Sequence, residues 1–487
     1  MGSGSFVFQG RNMNVRKKLN NKWILIGIGL FCFISLAFPR GTVGITIKEE
    51  EELSREFQKL VLNHYQLIED PIVVNYVNKV GQKILAVMPA QPFAYRFNVV
   101  KEDVYNAFAT PAGHIYINSG LFAAMETEDE LAGIIAHEIS HVASRHISQK
   151  IERSKKVNIA TLAGVAAGIF LGAGGAAAAA NAITIGSMAA GQSIMLAYSR
   201  EDEIQADQRG LDYLDKAGYS GEGLISILKK IRSKQWFGSE QVPTYLMTHP
   251  ASEDRIAYID TWLDRRSNPV AQTVSYEFRR VHTYLVANYQ DVELTLNLFK
   301  DAVANQPGDP LAHYGLGLIN ARTGNRRDAV IHLKAALEKR AFDPYILTDL
   351  GKIYIQEGSY PQALSILESS LSIDPGDPER LFFMGRALVG MERFDKAAET
   401  LLVLVAKNPD YAQAYYALGE AFGRQGKQAD SHYYLGIYYQ KTGNLRNAHF
   451  HLNRALNDMT DPEKRKHIEN MLKKLRTELK QMPPDSR

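Results

Sequence analysis

The chain has 487 residues, too many for one hydrophobic core, and 45% apolar with 22% charged residues is ordinary globular composition. Fifty-six basic against 53 acidic side chains leave a formal charge of +3, which excludes a global field for nucleic acid, and no nucleic-acid partner is expected. Cys32 is the single cysteine, so a disulfide framework and a cysteine-ligated metal are both excluded, and any metal must bind through His, Asp or Glu.

Arg16, Lys17, Lys18 and Lys22 precede the uncharged run from Trp23 to Phe38, which Pro39 and Arg40 close. That run is shorter than the roughly 20 apolar residues of a spanning helix, and Ser35-Leu36-Ala37 offers small residues for cleavage. Residues 1–37 therefore read as leader and secretory signal, with Met13 an alternative start; an uncleaved anchor is the rival reading. Gly29-Leu30-Phe31 is too bulky for a lipid-anchor motif at Cys32, so a cleaved chain is free of cysteine and suits an oxidising compartment.

From Glu50 to Met88 the apolar spacing predicts helices, with Phe57, Leu60, Val61 and Tyr65 on one stripe and Val73, Tyr76, Val77, Val80 and Ile84 on another. Phe93 to Val100 and Gly113 to Asn118 alternate, predicting two short strands joined through a turn at Pro111. Thr127 and Glu130 form a capping box that opens a helix with Leu131, Ile134, Ile135, Ile139 and Val142 on its apolar face. Residues 157–199 carry no charge and are rich in Gly and Ala, with Gly164, Gly168 and Gly172 at helical spacing. They read as a closely packed helical insertion that touches a membrane through Ile169, Phe170 and Leu171, or as a membrane hairpin. Past a polar link from Asp264 to Ser275 containing Pro269, Leu316-Gly317, Leu350-Gly351, Met384-Gly385 and Leu418-Gly419 recur every 34 residues. This is the tetratricopeptide period. Residues 291–307 fit the second helix of an earlier repeat. Leu435-Gly436 arrives half a period early, which predicts a missing helix and a local change of direction in the solenoid.

His137-Glu138-Ile139-Ser140-His141 lies within the capped helix, where two imidazoles four residues apart share a face and can hold one metal ion beside Glu138. A catalytic zinc takes three protein ligands and keeps an open position, so one more ligand is needed. His146 is nearest, but a continuing helix would point it away. Glu203 and Asp207, one turn apart on a new helix with Ala206 between them, are the better pair: Glu203 as ligand and Asp207 orienting a ligating imidazole. Glu201 is the rival ligand. His249, before Pro250 in a polar loop, reads by itself as a turn residue.

These residues, together with Asn106-Ala107-Phe108-Ala109 and Thr248-His249-Pro250 with Arg255 following, resemble the gluzincin peptidases that include the CAAX prenyl proteases and HtpX-type proteases. The likeness extends to the periplasmic members that carry C-terminal repeats. Thr110-Pro111-Ala112-Gly113 stands where the family more often has Leu-Pro-Gly-Gly. The resemblance implies a zinc endopeptidase with His137, His141 and Glu203 as ligands, Glu138 as general base, a proton-donor role for Asp207, and His249 near the metal, filling the fourth position in a resting state, from where its loop is expected to gate the enzyme. It also implies a periplasmic protein that degrades or assists misassembled outer-membrane β-barrels, with unfolded proteins as substrates and the assembly machinery bound by the repeats. The expected fold is α+β but mostly α: a zincin-like domain with a small β-sheet at residues 48–265, then an all-α solenoid at residues 276–487. The strand from His114 to Asn118 is expected to lie exposed beside the metal helix, ready to pair with extended substrate. The rival function is a repeat-based chaperone or adaptor whose protease domain is silent.

Overall fold

The computed structural model describes residues 45–153, 198–237, 244–250, 253–265 and 275–481. The secretory-signal reading, Cys32, Pro269 and nearly all of the uncharged 157–199 segment lie outside the described residues.

Helix α1 (Ile47–His64) starts at a capping box, in which Thr46 accepts from the Glu49 backbone and Glu49 reaches back to the Thr46 N–H. Strand β1 (Leu67–Ile68), helix α2 (Pro71–Leu85), and strands β2 (Arg96–Val100), β3 (Ala107–Ala109) and β4 (His114–Asn118) follow. The sheet order is β1-β2-β4-β3, with β2 and β4 parallel, Phe97 opposite Ile115 and Val99 opposite Ile117. β3 runs antiparallel to β4, pairing Phe108 with Tyr116. Alternation divides the side chains between two faces. Phe97, Val99, Ile115 and Ile117 join the main core with Val73, Val77 and Ile84 of α2. Val100, Phe108 and Tyr116 meet Leu53, Phe57 and Val61 of α1.

The two expected strands are present, but the expectation that His114 to Asn118 is an exposed edge is corrected. β4 is paired on both sides, because the link through Pro111 folds back to form β3 on its far side. Ala107–Ala109 is the edge strand on that side, and it packs against the helix that carries His137 and His141.

A short helix α3 (Ser119–Ala123) leads into α4 (Glu128–Ala143), whose predicted Thr127–Glu130 capping box is formed. Every residue of α4 from Asp129 to Val142 is buried, since α6 (Arg200–Lys216) and α7 (Glu222–Phe237) pack on it as well as the sheet layer. Gly133 makes room for α7: a Cβ there would sit 2.8 Å from the Leu224 Cα. α4 ends because Arg145 takes a left-handed conformation, φ 54°, after which α5 (His146–Arg153) restarts in another direction. The expectation of a continuing helix that points His146 away is therefore corrected. Helices α8 (Thr244–Thr248) and α9 (Glu253–Asp264) complete this half.

The repeats begin with α10 (Tyr276–Tyr289) and α11 (Val292–Asn305), so the block at residues 291–307 does have a helical partner before it. They continue as α12 (Pro310–Arg322), α13 (Arg326–Lys339), α14 (Pro344–Gln356), α15 (Tyr360–Ile373), α16 (Pro378–Gly390), α17 (Phe394–Lys407), α18 (Ala412–Arg424), α19 (Gln428–Lys441), α20 (Leu445–Asp458) and α21 (Pro462–Gln481). Each repeat glycine faces a leucine of the next helix: Gly317 faces Leu333, Gly351 Leu367, Gly385 Leu401, Gly419 Leu435 and Gly436 Leu452. Leu435 and Gly436 both lie on α19. That helix therefore closes one pair and opens the next, and the half-period arrival reflects a shared helix rather than a missing one.

α10 also packs on the first half. Phe278 lies against Tyr76 and Phe122, with ring centroids 6.4 and 6.1 Å apart, and His282 Nε2 donates to the Ala123 carbonyl at 2.9 Å. Lys79 pairs with Glu277 at 2.5 Å, and the Tyr289 hydroxyl donates to Asp70. The first repeat thus shares one apolar core with the sheet domain.

Candidate metal centre

Three separately capped or clamped segments converge. α4 projects His137 and His141 from one face, and α6, started by a Ser199–Asp202 capping box, projects Glu203 and Asp207 from one of its own. His249 follows α8, held by its backbone N–H to the Tyr245 carbonyl at 2.7 Å. His137 Nε2 and His141 Nε2 lie 2.9 Å apart, and His249 Nδ1 lies 3.3 Å from the former. Glu203 Oε1 lies 3.3 Å from His141 Nε2 and 3.1 Å from His249 Nδ1, and Glu203 Oε2 is 3.5 Å from His137 Nε2. One ligand atom from each of the four residues falls within 4.8 Å of the others.

Around this set, His137 Nδ1 donates to Asp207 Oδ1 at 2.9 Å. Arg255 of α9 clamps Asp207 through Nε at 2.7 Å and Nη2 at 2.8 Å, and its Nη1 pairs with Glu203. Burial alone would raise both carboxyls, but the Arg255 guanidinium overcomes it and holds Glu203 and Asp207 below the usual carboxylate range. Burial would lower His137, yet Glu203 and Asp207 raise it to about 9, whereas burial, together with the neighbouring His137 and His249 rings, keeps His141 well below the ordinary imidazole value. Burial pushes Glu138 up, and among the described residues neither of its buried oxygens has a hydrogen-bond partner. His249 Nε2 is 3.5 Å from Glu138 Oε1.

The donor set fits zinc: inward imidazole nitrogens and a carboxylate kept ionised, with an outer carboxylate on one ring and an unbonded Glu beside them. Of the residues singled out by sequence, His137, Glu138, His141, Glu203, Asp207 and His249 come together. Glu201 is solvent-exposed and stands outside the cluster. His146 is not one of the four; it hydrogen-bonds the far side of His141 instead. Spacing did not reveal the aromatic walls. The Tyr198 ring covers His141 at 3.7 Å between centroids, and Tyr245 stacks on His249 at 4.5 Å. Tyr245 had a local signal, four residues before His249 on one helical face; Arg255 had none beyond its place after His249-Pro250. The site is closed: His137, Glu138, Glu203 and His249 are fully buried, and a cavity of about 10 Å³, room for one water, opens beside His141.

Residues 72–263 match the model of Peptidase family M48, and residues 291–344, 321–378 and 354–418 match tetratricopeptide-repeat models. The Beta-barrel assembly-enhancing protease of Yersinia pestis is 24% identical over 416 residues, 78% of this chain and 85% of that protein. The protein of that name from Escherichia coli (strain K12) is 24% identical over 359 residues, 66% of this chain and 73% of its own length. The Mitochondrial metalloendopeptidase OMA1 of Schizosaccharomyces pombe is 24% identical over 272 residues, 53% of this chain and 76% of that protein.

Proposed function

Because the chain carries a Peptidase family M48 domain and tetratricopeptide repeats, and is thereby a zinc-dependent metalloendopeptidase, we propose that His137, His141 and Glu203 hold the zinc and Glu138 is its general base. The observation that carries this reading is the convergence of those ligand atoms, fully buried, next to a carboxylate without a hydrogen-bond partner among the described residues. Zinc, when bound, would supply Lewis acidity that polarises the scissile carbonyl and would lower the pKa of a bound water toward about 7. Glu138 has both oxygens available to take the water proton and return it to the leaving amine. Asp207 spends Oδ1 on His137 and Arg255 and Oδ2 on Arg255, which supports ring orientation over proton donation.

His249 is the gate: in this closed state its imidazole completes the cluster and excludes substrate, and α8 must shift to admit a peptide. Extended substrate then pairs with the backbone of the edge strand Ala107–Ala109, so side-chain preference is loose. The names of the two bacterial relatives, the repeats and the secretory-signal reading support a periplasmic role in assembling outer-membrane β-barrels. The enzyme degrades unfolded or misassembled clients, assists others, and engages the assembly machinery through the repeats. The complete burial of the site favours, as a second reading, an adaptor whose protease is mostly silent. Cleavage of an unfolded polypeptide by purified protein separates the two. Wild type cleaves slowly, Glu138→Gln loses about 100-fold or more with zinc retained, and His249→Ala cleaves faster. Cleavage independent of Glu138 would refute the enzyme reading, and His249→Ala at or below wild-type rate without a more accessible zinc would refute the gate.

A further inference from the structure

The turn after α4 is built. Arg145 accepts the left-handed conformation while its Nε donates to the buried Glu50 at 2.6 Å and its Nη2 to the Ile45 carbonyl at 2.5 Å. The result is that His146 folds back against His141, with their Nδ1 atoms 2.9 Å apart and the ring planes 74° to each other. The other nitrogen of His146, Nε2, lies 2.7 Å from Gln205 Oε1 and 3.9 Å from Asp202 Oδ1. Both of those oxygens accept, so the ring hydrogen of His146 sits on Nε2 and its Nδ1 presents a lone pair. A nitrogen-to-nitrogen hydrogen bond contains one hydrogen. Here it belongs to His141 Nδ1, which leaves His141 Nε2 as the lone pair that faces His137 and Glu203.

We propose that His146 and Gln205 are positioning residues that fix the metal-binding tautomer of His141, the counterpart of Asp207 on His137. The inference rests on the zinc-ligand assignment proposed above. α6 serves both imidazoles from adjacent strips of its surface: Glu203 and Asp207 face the cluster, and Asp202 and Gln205 face His146. The two arms differ in kind. The Asp207 arm is a buried carboxylate clamped by Arg255, whereas the His146 arm is a second imidazole bonded to the exposed Gln205, with the Asp202 carboxylate 3.9 Å away. Without the relay, His141 keeps its place on α4 but divides its hydrogen between two nitrogens, and zinc must pay to select one.

The test is zinc affinity by competition with a chelator, together with long-range nitrogen-15 NMR of the imidazoles in zinc-free full-length protein. His146→Leu should weaken zinc by about 10- to 100-fold. His146→Asn, whose amide oxygen lies near the position of Nδ1, should recover most of that loss, and Gln205→Leu should give a smaller loss. The wild-type spectrum should place the His141 hydrogen on Nδ1. At saturating zinc, kcat of each variant should return toward wild type, as a positioning role requires. Wild-type zinc affinity in His146→Leu, or the His141 hydrogen on Nε2, overturns the proposal. If His146→Leu does not fold, Gln205→Leu decides by the same titration, since an exposed side chain can be replaced without disturbing the core. Failure of the wild type itself to bind zinc overturns the ligand assignment instead, so the two failures are distinguishable.

Discussion

Arg255 is buried, and it is the cation against which Glu203 and Asp207 stay ionised in the interior. Taking it away leaves two uncompensated carboxylates in the interior, a change that costs about 3–5 kcal/mol in buried pairs that lose one partner. Arg255→Met should therefore lower the stability of zinc-free protein by about that much in urea unfolding, and added zinc should restore part of it by replacing the lost charge. Unchanged zinc-free stability would mean that the pair is compensated elsewhere. At this scale the sequence was most informative where chemistry is local. His137 and His141 share a helical face by spacing alone, and Glu203 and Asp207 do the same. Arg255 and Tyr198 reach the site only through tertiary packing, so spacing carries no trace of their contacts. His146 was misjudged for a different reason: α4 stops at Arg145, a residue with no intrinsic preference for a left-handed conformation, and the Glu50 clamp that compensates it lies 95 positions earlier.

Elements are set against one another by close approach at glycine. At Gly133 an added Cβ would meet the Leu224 backbone at 2.8 Å, whereas at Gly385 it would meet the Leu401 side-chain tip at 2.7 Å. The contacts are equally short but differ in what can yield. Gly133→Ala must displace α7 from the metal helix and should cost about 1–3 kcal/mol, while Gly385→Ala lets a leucine rotate and should cost less. Thermal unfolding of the two variants checks the order; a larger loss at Gly385 would contradict it. The repeat period was legible because each helix pair needs the same small residue at the same place. Its reading at Leu435-Gly436 went astray because one helix, α19, meets both requirements at once. Sheet topology was less legible. Alternation located β2 and β4, but three-residue β3 and two-residue β1 are too short to show a period, and without β3 the central strand looks like an edge.

At the scale of the whole molecule, the repeats are not a tethered accessory, since α10 buries Phe278 between Tyr76 and Phe122 and His282 caps a carbonyl of α3. The first repeat is thereby packed directly on α2 and α3, in the same apolar core as α4. Burial holds the His282 ring below its ordinary value of 6.5, so on acidification the unfolded chain takes up a proton that the folded chain resists. This contribution is complete above about pH 6.5 and is lost as pH falls below it. His282→Gln keeps an N–H donor without the titration; its stability should be close to wild type at neutral pH and gain relative to it on acidification. Parallel pH curves in chemical unfolding would remove His282 as the cause. All of these relations surround the proposed closure of α4 and α6 on a single zinc. The most direct measurement is anomalous diffraction at the zinc edge from crystals of the full chain. One peak per chain is expected, within bonding distance of His137 Nε2, His141 Nε2 and a Glu203 oxygen. A peak elsewhere, or none after zinc loading, would contradict it.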